Sequence, residues 1–136
     1  MSLALLLLLV GLMAYVRLAP SDPALWHIAL DPGPAAIATP SPDAVTQLPN
    51  AAYIDSTAPL ALWDAVAMAT PRTQRLAGSV AEGRVTYITR SLLWGFPDYT
   101  TAQTTPQGTR LYARQRFGSN DWGVNAARLR DWLAKL

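Results

Sequence analysis

Three patterns of hydrophobic and polar positions follow one another along the 136-residue chain. Residues 1–19 are almost uniformly apolar, residues 20–56 are punctuated by prolines, and residues 57–136 carry the periodicities of amphipathic helices and strands. We therefore predict three parts: a transmembrane anchor, a proline-rich extended arm or linker, and one small folded domain.

The apolar run predicts a single transmembrane helix. It has no charged side chain before Arg17, and residues 2–19 of an α-helix would rise about 27 Å, enough for a thin bilayer. Tyr15 and Arg17 suit the interface between lipid and water. A cleaved signal peptide is the alternative, but the run lacks a basic N-terminal region, and Pro20 follows the would-be cleavage site.

The proline-rich segment is predicted to be extended. Residues 20–59 hold eight of the eleven prolines, and a proline lacks a backbone donor and restricts the residue before it. Long helices and central strands are therefore not expected there. The apolar group around Trp26 and His27 predicts that this part of the arm docks on the domain or on a partner. Because His27 is the only histidine and there is no cysteine, we predict no metal site and no cofactor.

The folded part predicts the order helix, antiparallel meander, helix. A stripe of apolar residues after Ser56 and Thr57, either of which can cap it, predicts a first helix that ends at Pro71. Four segments rich in Thr, Tyr and Val follow, separated by turn signals. Residues 121–136 show the spacing of a second helix. Two helices covering one face of a three- or four-stranded antiparallel sheet would give a two-layer α+β domain.

Basic residues are concentrated in the folded part. Ten of the eleven Lys and Arg residues lie in residues 70–136, against four acidic residues. This excess favours an anionic partner such as lipid headgroups; the alternative is that the arginines cover apolar strand surface and pair with local carboxylates. The chain has no nucleophile elbow, phosphate loop or basic recognition helix. An enzyme is therefore less favoured than a binding protein, and nucleic acid is not expected as a partner.

Two stretches of the domain are unusual. "RSLLWGFPDY", which starts at Arg90, predicts either a strand that bends under aromatic side chains or an exposed aromatic patch. "RFGSNDWGVNAARLRDWL", which starts at Arg116, predicts a turn and then a helix capped by Asp121 or a neighbour. Arg116 and Arg128 flank Asp121, which predicts a buried or semi-buried Arg–Asp clamp that fixes the last helix to the sheet.

Together these stretches resemble DUF1499, a bacterial and plastid family known as a domain of unknown function. The resemblance covers roughly residues 57–136. It assigns motif positions to Arg90, Phe96, Asp98, Arg116, Gly118, Asp121, Gly123, Asn125 and Arg128. Tyr99 stands where the family often has a second acid, and Trp122 stands where leucine is usual. The resemblance implies an envelope or membrane setting and supplies no reaction. It favours an inner (plasma) membrane protein with a periplasmic C-terminal domain, although Arg17 by itself favours a cytoplasmic one.

The leading hypothesis is a non-enzymatic, membrane-anchored interaction or accessory module, such as a minor subunit of an inner-membrane complex. Its expected partners are the lipid bilayer and a membrane protein that contacts the N-terminal helix and the arm. The residues expected to contact partners are Trp26, His27, Trp94 and Tyr99. One alternative is a small-ligand-binding or hydrolytic pocket built from Arg90, Arg116 and Asp121. A second alternative is anionic-lipid binding by the basic surface.

Overall fold

The computed structural model describes residues 2–30 and 41–136, which form an α+β fold around one antiparallel sheet. The helices are α1 (Leu3–Leu18), α2 (Pro23–Trp26), α3 (Leu60–Ala69) and α4 (Val124–Ala134), and the strands are β1 (Thr46–Leu48), β2 (Ala51–Ser56), β3 (Thr73–Ser79), β4 (Arg84–Arg90), β5 (Pro97–Thr105) and β6 (Gly108–Gln115). The order across the sheet is β1-β2-β6-β5-β4-β3. Part of the predicted arm, residues 31–40, lies outside the described residues.

The meander from β3 to β6 follows the four segments predicted as strands. β5 and β6 form the longest ladder, which closes with Thr105 opposite Gly108 across a two-residue turn. Successive side chains of a strand point to opposite faces of a sheet. In β5, Asp98 therefore faces the side that carries α4, and Tyr99 and Thr101 face the other side, where Trp26 lies.

The sheet has six strands, so the predicted number of three or four is wrong. The two additional strands, β1 and β2, come from the segment predicted to be an extended arm. β2 lies between Pro49 and Pro59 and contains no proline, and all six of its residues pair with β6. A proline removes its own donor from a ladder, but the residues between two prolines remain free to pair. The α+β class and the antiparallel pairing are as predicted.

The predicted transmembrane helix is also wrong. α1 begins after Ser2, whose hydroxyl accepts a hydrogen bond from the Leu5 amide, and it ends at Leu18, two residues before Pro20. Its 16 residues rise about 24 Å, which is short of a hydrocarbon core of about 30 Å. Within the described part of the chain, no helix is both long and apolar enough to cross a membrane.

Helices α3 and α4 cover one face of the sheet and enclose the core. Trp63 of α3 and Trp132 of α4 are fully buried, and Trp132 meets the Tyr87 ring edge to face at 5.9 Å. Asp64 of α3 joins this layer to the sheet because it accepts hydrogen bonds from the Tyr87 hydroxyl (2.7 Å) and from the Arg75 guanidinium. The pKa of Asp64 stays below its usual value, although burial opposes this, because both donors favour the charged form.

The opposite face of the sheet is partly covered by residues 20–30, which we call the docked arm. The Trp26 ring stacks on Tyr99 with 4.0 Å between ring centroids and 11° between planes. The Trp26 carbonyl accepts hydrogen bonds from the Arg114 guanidinium and from the Thr101 hydroxyl. Burial lowers the pKa of Arg114 to about 10. Trp26 thus supplies both a carbonyl acceptor and an aromatic face to the buried Arg114 guanidinium, and these contacts hold the docked arm on the sheet.

Candidate functional site

A cleft of about 530 Å³ opens between the loop after β4, the start of β5 and the loop that leads into α4. Most of the motif residues meet here. The charged lining includes Arg72, Arg90, Asp98, Asp121 and Arg128, and the apolar lining includes Phe96, Pro97, Phe117, Trp122 and Val124. Its volume lies within the usual range for small-molecule sites, and it offers both apolar walls and charged groups.

A largely buried ion pair joins β5 to α4 at this cleft. Arg128 Nη2 lies 3.0 Å from Asp98 Oδ2, with side chains only 12% and 14% exposed, and Arg128 Nη1 also donates to Asn125 Oδ1. Burial raises the pKa of Asp98 above its ordinary value, although Arg128 opposes this, and the nearby charge of Asp121 raises it further. Burial therefore outweighs the ion pair in setting the pKa of Asp98, and Arg128 keeps that pKa from rising further.

Asp121 caps α4 and does not pair with an arginine. Its carboxylate accepts hydrogen bonds from two backbone amides and from Asn125 Nδ2 at 2.8 Å. A carboxylate here satisfies free amides and complements the helix dipole. The predicted clamp in which Arg116 and Arg128 flank Asp121 is therefore wrong. The helix is fixed to the sheet by an Arg–Asp pair, but the carboxylate that binds Arg128 is Asp98.

The remaining motif positions serve the docked arm and the loop before α4. Arg116 Nη1 donates to the Pro20 carbonyl (2.8 Å) and to the Tyr99 hydroxyl (3.1 Å), so it binds the docked arm. Gly118, with φ +102°, lies in the exposed turn after β6, and Gly123, with φ +79°, precedes the first turn of α4. The structure thus brings five motif side chains together and leaves Arg116 outside the cleft.

Trp122 lies on the rim of the cleft in an unfavourable conformation. It has φ +53° and is 86% exposed. For a residue other than glycine, a backbone conformation in the left-handed region costs about 1–3 kcal/mol of stability. The Asn120 side chain accepts a hydrogen bond from the Trp122 amide (2.8 Å) and supports this backbone. An exposed indole gains little packing in return, and an exposed aromatic of this kind is typical of a contact surface.

A second surface of interest belongs to α1. Val16 is its one buried residue, and the Val16 carbonyl accepts from Arg90 Nη1 at 3.4 Å. Tyr15 meets the Phe117 ring at 6.2 Å. Eight large apolar side chains of the helix are 43–80% exposed, while Leu9 and Met13 are partly buried; the exposed ones are Leu3, Leu5, Leu6, Leu7, Leu8, Val10, Leu12 and Leu18. Exposed apolar side chains grouped along one helix are typical of a contact surface.

The aromatic residues predicted to contact partners lie in two different environments, one between the docked arm and the sheet and one in the loop after β4. Trp26 and Tyr99 stack on each other, and Tyr99 is fully buried. Trp94 lies in the loop after β4, half-buried, with its ring 6.3 Å from the Phe96 ring. Phe96 in turn approaches Phe117 at 6.1 Å, so these rings continue towards the end of α1.

His27, the next residue of the docked arm after Trp26, lies against β4 of the sheet. Its Nδ1 atom is 2.8 Å from the Thr86 hydroxyl. Burial lowers the pKa of His27, the positive charge of Arg84 lowers it further, and Glu82 opposes the change. His27 is therefore held as a neutral group against the sheet. Among residues 2–30 and 41–136, no group of three or more His, Cys, Asp or Glu side chains is placed to hold a metal ion.

Sequence reasoning missed two arginines that the fold brings beside Arg90. Arg17 and Arg72 line a cavity with Arg90 that adjoins the cleft. The signal available in the sequence was the general excess of arginine, which does not say which arginines converge. Asp64, which joins α3 to the sheet, was missed for the same reason, because its partners Arg75 and Tyr87 are brought to it by the tertiary fold.

The fold and the cleft define a small α+β protein with one antiparallel sheet, two helices on one face and a polar and aromatic cleft at one end. Residues 29–136 match the family described as "Protein of unknown function (DUF1499)". The match covers most of the chain, so the protein belongs to this family, and the resemblance seen in the sequence is confirmed. Comparisons with curated proteins and with solved structures found no match.

Proposed function

We propose that the protein is an interaction module that docks on a lipid bilayer through α1 and the loop after β4. The observation that carries this proposal is the uncovered apolar surface of α1, which no acidic side chain interrupts. Removing one leucine side chain from water is worth about 1.5–3 kcal/mol. The exposed leucines of α1 therefore strongly favour transfer to an apolar environment.

The neighbourhood of α1 favours lipid as that environment. Leu92 and Leu93, in the loop after β4, are 76% and 68% exposed, and Arg17 Nη2 donates to the Leu93 carbonyl at 2.9 Å. Arg72 and Arg90 lie beside Arg17 at the same end of the helix. Apolar side chains bordered by basic ones match the succession of acyl chains and anionic headgroups in a bilayer.

Vesicle flotation of the full chain tests the proposal. The double substitution Leu7→Gln and Leu8→Gln changes two side chains that are 63% and 68% exposed, so the fold is preserved while apolar surface is lost. We expect binding to phosphatidylcholine vesicles to fall by at least about 100-fold. Leu62→Gln on α3, where the side chain is 48% exposed, is the matched control and should bind as the wild type does.

Two results would refute bilayer docking. One is equal vesicle binding by the wild type and the Leu7/Leu8 variant. The other is a wild-type protein that does not float but is recovered in mild detergent as a stoichiometric complex with a membrane protein through α1. That outcome would assign α1 to a protein partner, as in an accessory subunit.

A second candidate function, binding of a small amphiphilic ligand in the cleft, is favoured by Trp122. Its strained and exposed position on the rim is explained if the indole covers a bound molecule. Arg72 and Arg90, which donate to backbone carbonyl oxygens at the edge of the apolar walls, suit an anionic head, whereas Arg128 is paired with Asp98. Tryptophan fluorescence during titration with lysophosphatidylglycerol, below its micelle concentration, tests this function. A saturable change that Trp122→Ala abolishes is expected, and the absence of any saturable change in the wild type excludes it.

A further inference from the structure

A cavity of about 360 Å³ lies at the C-terminal end of α1 and adjoins the cleft. Three arginines line it: Arg17 from α1, Arg72 from the turn before β3, and Arg90 from the end of β4. No aspartate or glutamate of residues 2–30 and 41–136 is part of its lining. Because arginine is always protonated near neutral pH, three positive charges face one cavity.

These charges are oriented by the fold but not neutralised by it. Among the described residues, all three guanidinium groups donate to backbone carbonyl oxygens and none pairs with a carboxylate. The acceptors are Leu93 O for Arg17 (2.9 Å), Arg90 O for Arg72 (3.0 Å), and Gly95 O (2.9 Å) and Val16 O (3.4 Å) for Arg90. The arginines that bind aspartates lie elsewhere: Arg75, Arg110 and Arg128.

The backbone around the cavity is arranged to hold these side chains. Gly95 has φ +74°, and a Cβ atom there would lie 2.8 Å from Arg17 Cγ and 3.0 Å from Arg17 Cζ. The Arg17 side chain therefore lies across a position that needs glycine. Arg72 has φ +56°, a conformation that costs about 1–3 kcal/mol in a residue with a side chain. Two backbone features thus support the convergence of like charges.

We propose that Arg17, Arg72 and Arg90 form a binding site for a phosphate group, supplied by the headgroup of an anionic phospholipid. Guanidinium groups bind phosphate oxygens through paired, charge-assisted hydrogen bonds. The lipid source follows from the position of the cavity, which lies where the exposed leucines of α1 end and beside the exposed Leu92. This inference rests on the proposed bilayer docking and adds the chemistry of the headgroup.

The test compares flotation with vesicles of phosphatidylcholine and vesicles of equal parts phosphatidylcholine and phosphatidylglycerol. The wild type should prefer the mixed vesicles. The double variant Arg17→Gln and Arg72→Gln should bind mixed vesicles roughly 30-fold less tightly, the change expected for two basic residues at an anionic surface, and should bind phosphatidylcholine as the wild type does. Arg90 is left intact because it donates to two carbonyl oxygens and so joins the loop after β4 to α1, whereas Arg17 and Arg72 each donate to one.

Arg130→Gln provides the matched control, because Arg130 is exposed on α4 and does not line the cavity. It removes one charge, half of what the double variant removes, and should change binding less than about 3-fold. Inorganic phosphate, added at constant ionic strength, should reduce the preference of the wild type for mixed vesicles and leave the double variant unaffected. Circular dichroism and thermal unfolding of each variant establish that the fold is kept.

The outcomes separate this site from the docking surface. Equal binding of wild type and double variant to both kinds of vesicle overturns the phosphate site while bilayer docking stands. Absence of binding to either kind of vesicle refutes the docking. If inorganic phosphate binds to the wild type and not to the double variant, but the variant keeps the preference for mixed vesicles, then free phosphate is the ligand and the lipid source is wrong.

Discussion

Replacing Arg128 with methionine should cost far more stability than replacing Asp98 with asparagine, although each change breaks the same ion pair. Arg128→Met leaves the Asp98 carboxylate, 14% exposed, without its cation. An uncompensated buried charge costs about 3–5 kcal/mol. Asp98→Asn leaves Arg128, 12% exposed, without its anion, but the guanidinium keeps a neutral amide oxygen as acceptor and its bond to Asn125. We expect a loss of about 1–2 kcal/mol for that change.

The pH dependence of the two variants follows from the same geometry. Burial already places the pKa of Asp98 above 3.8, its ordinary value, and removing Arg128 raises it further. A group whose pKa is higher in the folded state contributes stability that is present below the unfolded pKa and is lost as pH rises through the folded pKa. The deficit of Arg128→Met should therefore be large at neutral pH, should shrink as pH falls through the raised folded pKa, and should reach its minimum near 3.8, the ordinary value, below which Asp98 is protonated in both states.

Urea denaturation of the full chain in mild detergent, followed by circular dichroism at pH 7 and at acid pH, measures both effects. At the midpoint of thermal unfolding, 1 kcal/mol corresponds to about 4–8 °C in a domain of this size, so calorimetry gives an independent reading. Asp98→Asn should show little of the acid recovery because it has no carboxyl group to titrate. A larger cost for Asp98→Asn than for Arg128→Met, or an Arg128→Met deficit that does not change with pH, would refute this account of the cleft.

Three further predictions concern the layers on either side of the sheet. Asp64→Ala should destabilise the domain by about 1–3 kcal/mol in urea denaturation, because the buried Tyr87 hydroxyl loses its acceptor. The control Asp131→Ala, on the surface, should cost less than about 0.5 kcal/mol. Equal effects of the two substitutions would contradict the role given to Asp64. Trp26→Ala should release the docked arm, seen as faster hydrogen exchange there without faster exchange in α3 and α4; unchanged exchange in the arm would show that the stack does not hold it. The pKa of His27 is lowered in the folded state, so arm docking should be strongest above pH 6.5, the ordinary value, and should weaken as pH falls through the lowered pKa. Protection of the arm amides, corrected for the intrinsic pH dependence of exchange, should follow this change in the wild type and should not change with pH in His27→Gln.

The elements that the sequence predicted well are those set by local spacing. The apolar stripe of α3, the apolar spacing of α4 and the strands of the meander arise from residues close together in the chain. β2 was missed because prolines on both sides outweighed the short run between them. The length of α1 was overestimated because apolarity does not fix where a helix ends, and Pro20 lies just beyond that end.

The candidate site was predicted in its members but not in its pairings. Asp98, Asp121 and Arg128 were all singled out, yet Asp121 caps a helix and Asp98 binds Arg128. Both carboxylates lie within reach of α4 once the sheet has formed, and their spacing in the sequence does not show which one caps the helix and which one pairs with Arg128. The convergence of Arg17 with Arg72 could not be predicted either, because it requires α1 to end beside the loop after β4.

Depth-dependent fluorescence quenching tests the membrane-docking account most directly. The chain contains no cysteine, so Leu7→Cys and Leu62→Cys each give one labelling site, on α1 and on α3. With a polarity-sensitive dye in vesicles, the label at position 7 should be quenched by lipids that carry the quencher on their acyl chains and protected from iodide, while the label at position 62 should show the reverse. A label at position 7 that remains open to iodide, or that is shielded from both quenchers, would contradict bilayer docking through α1.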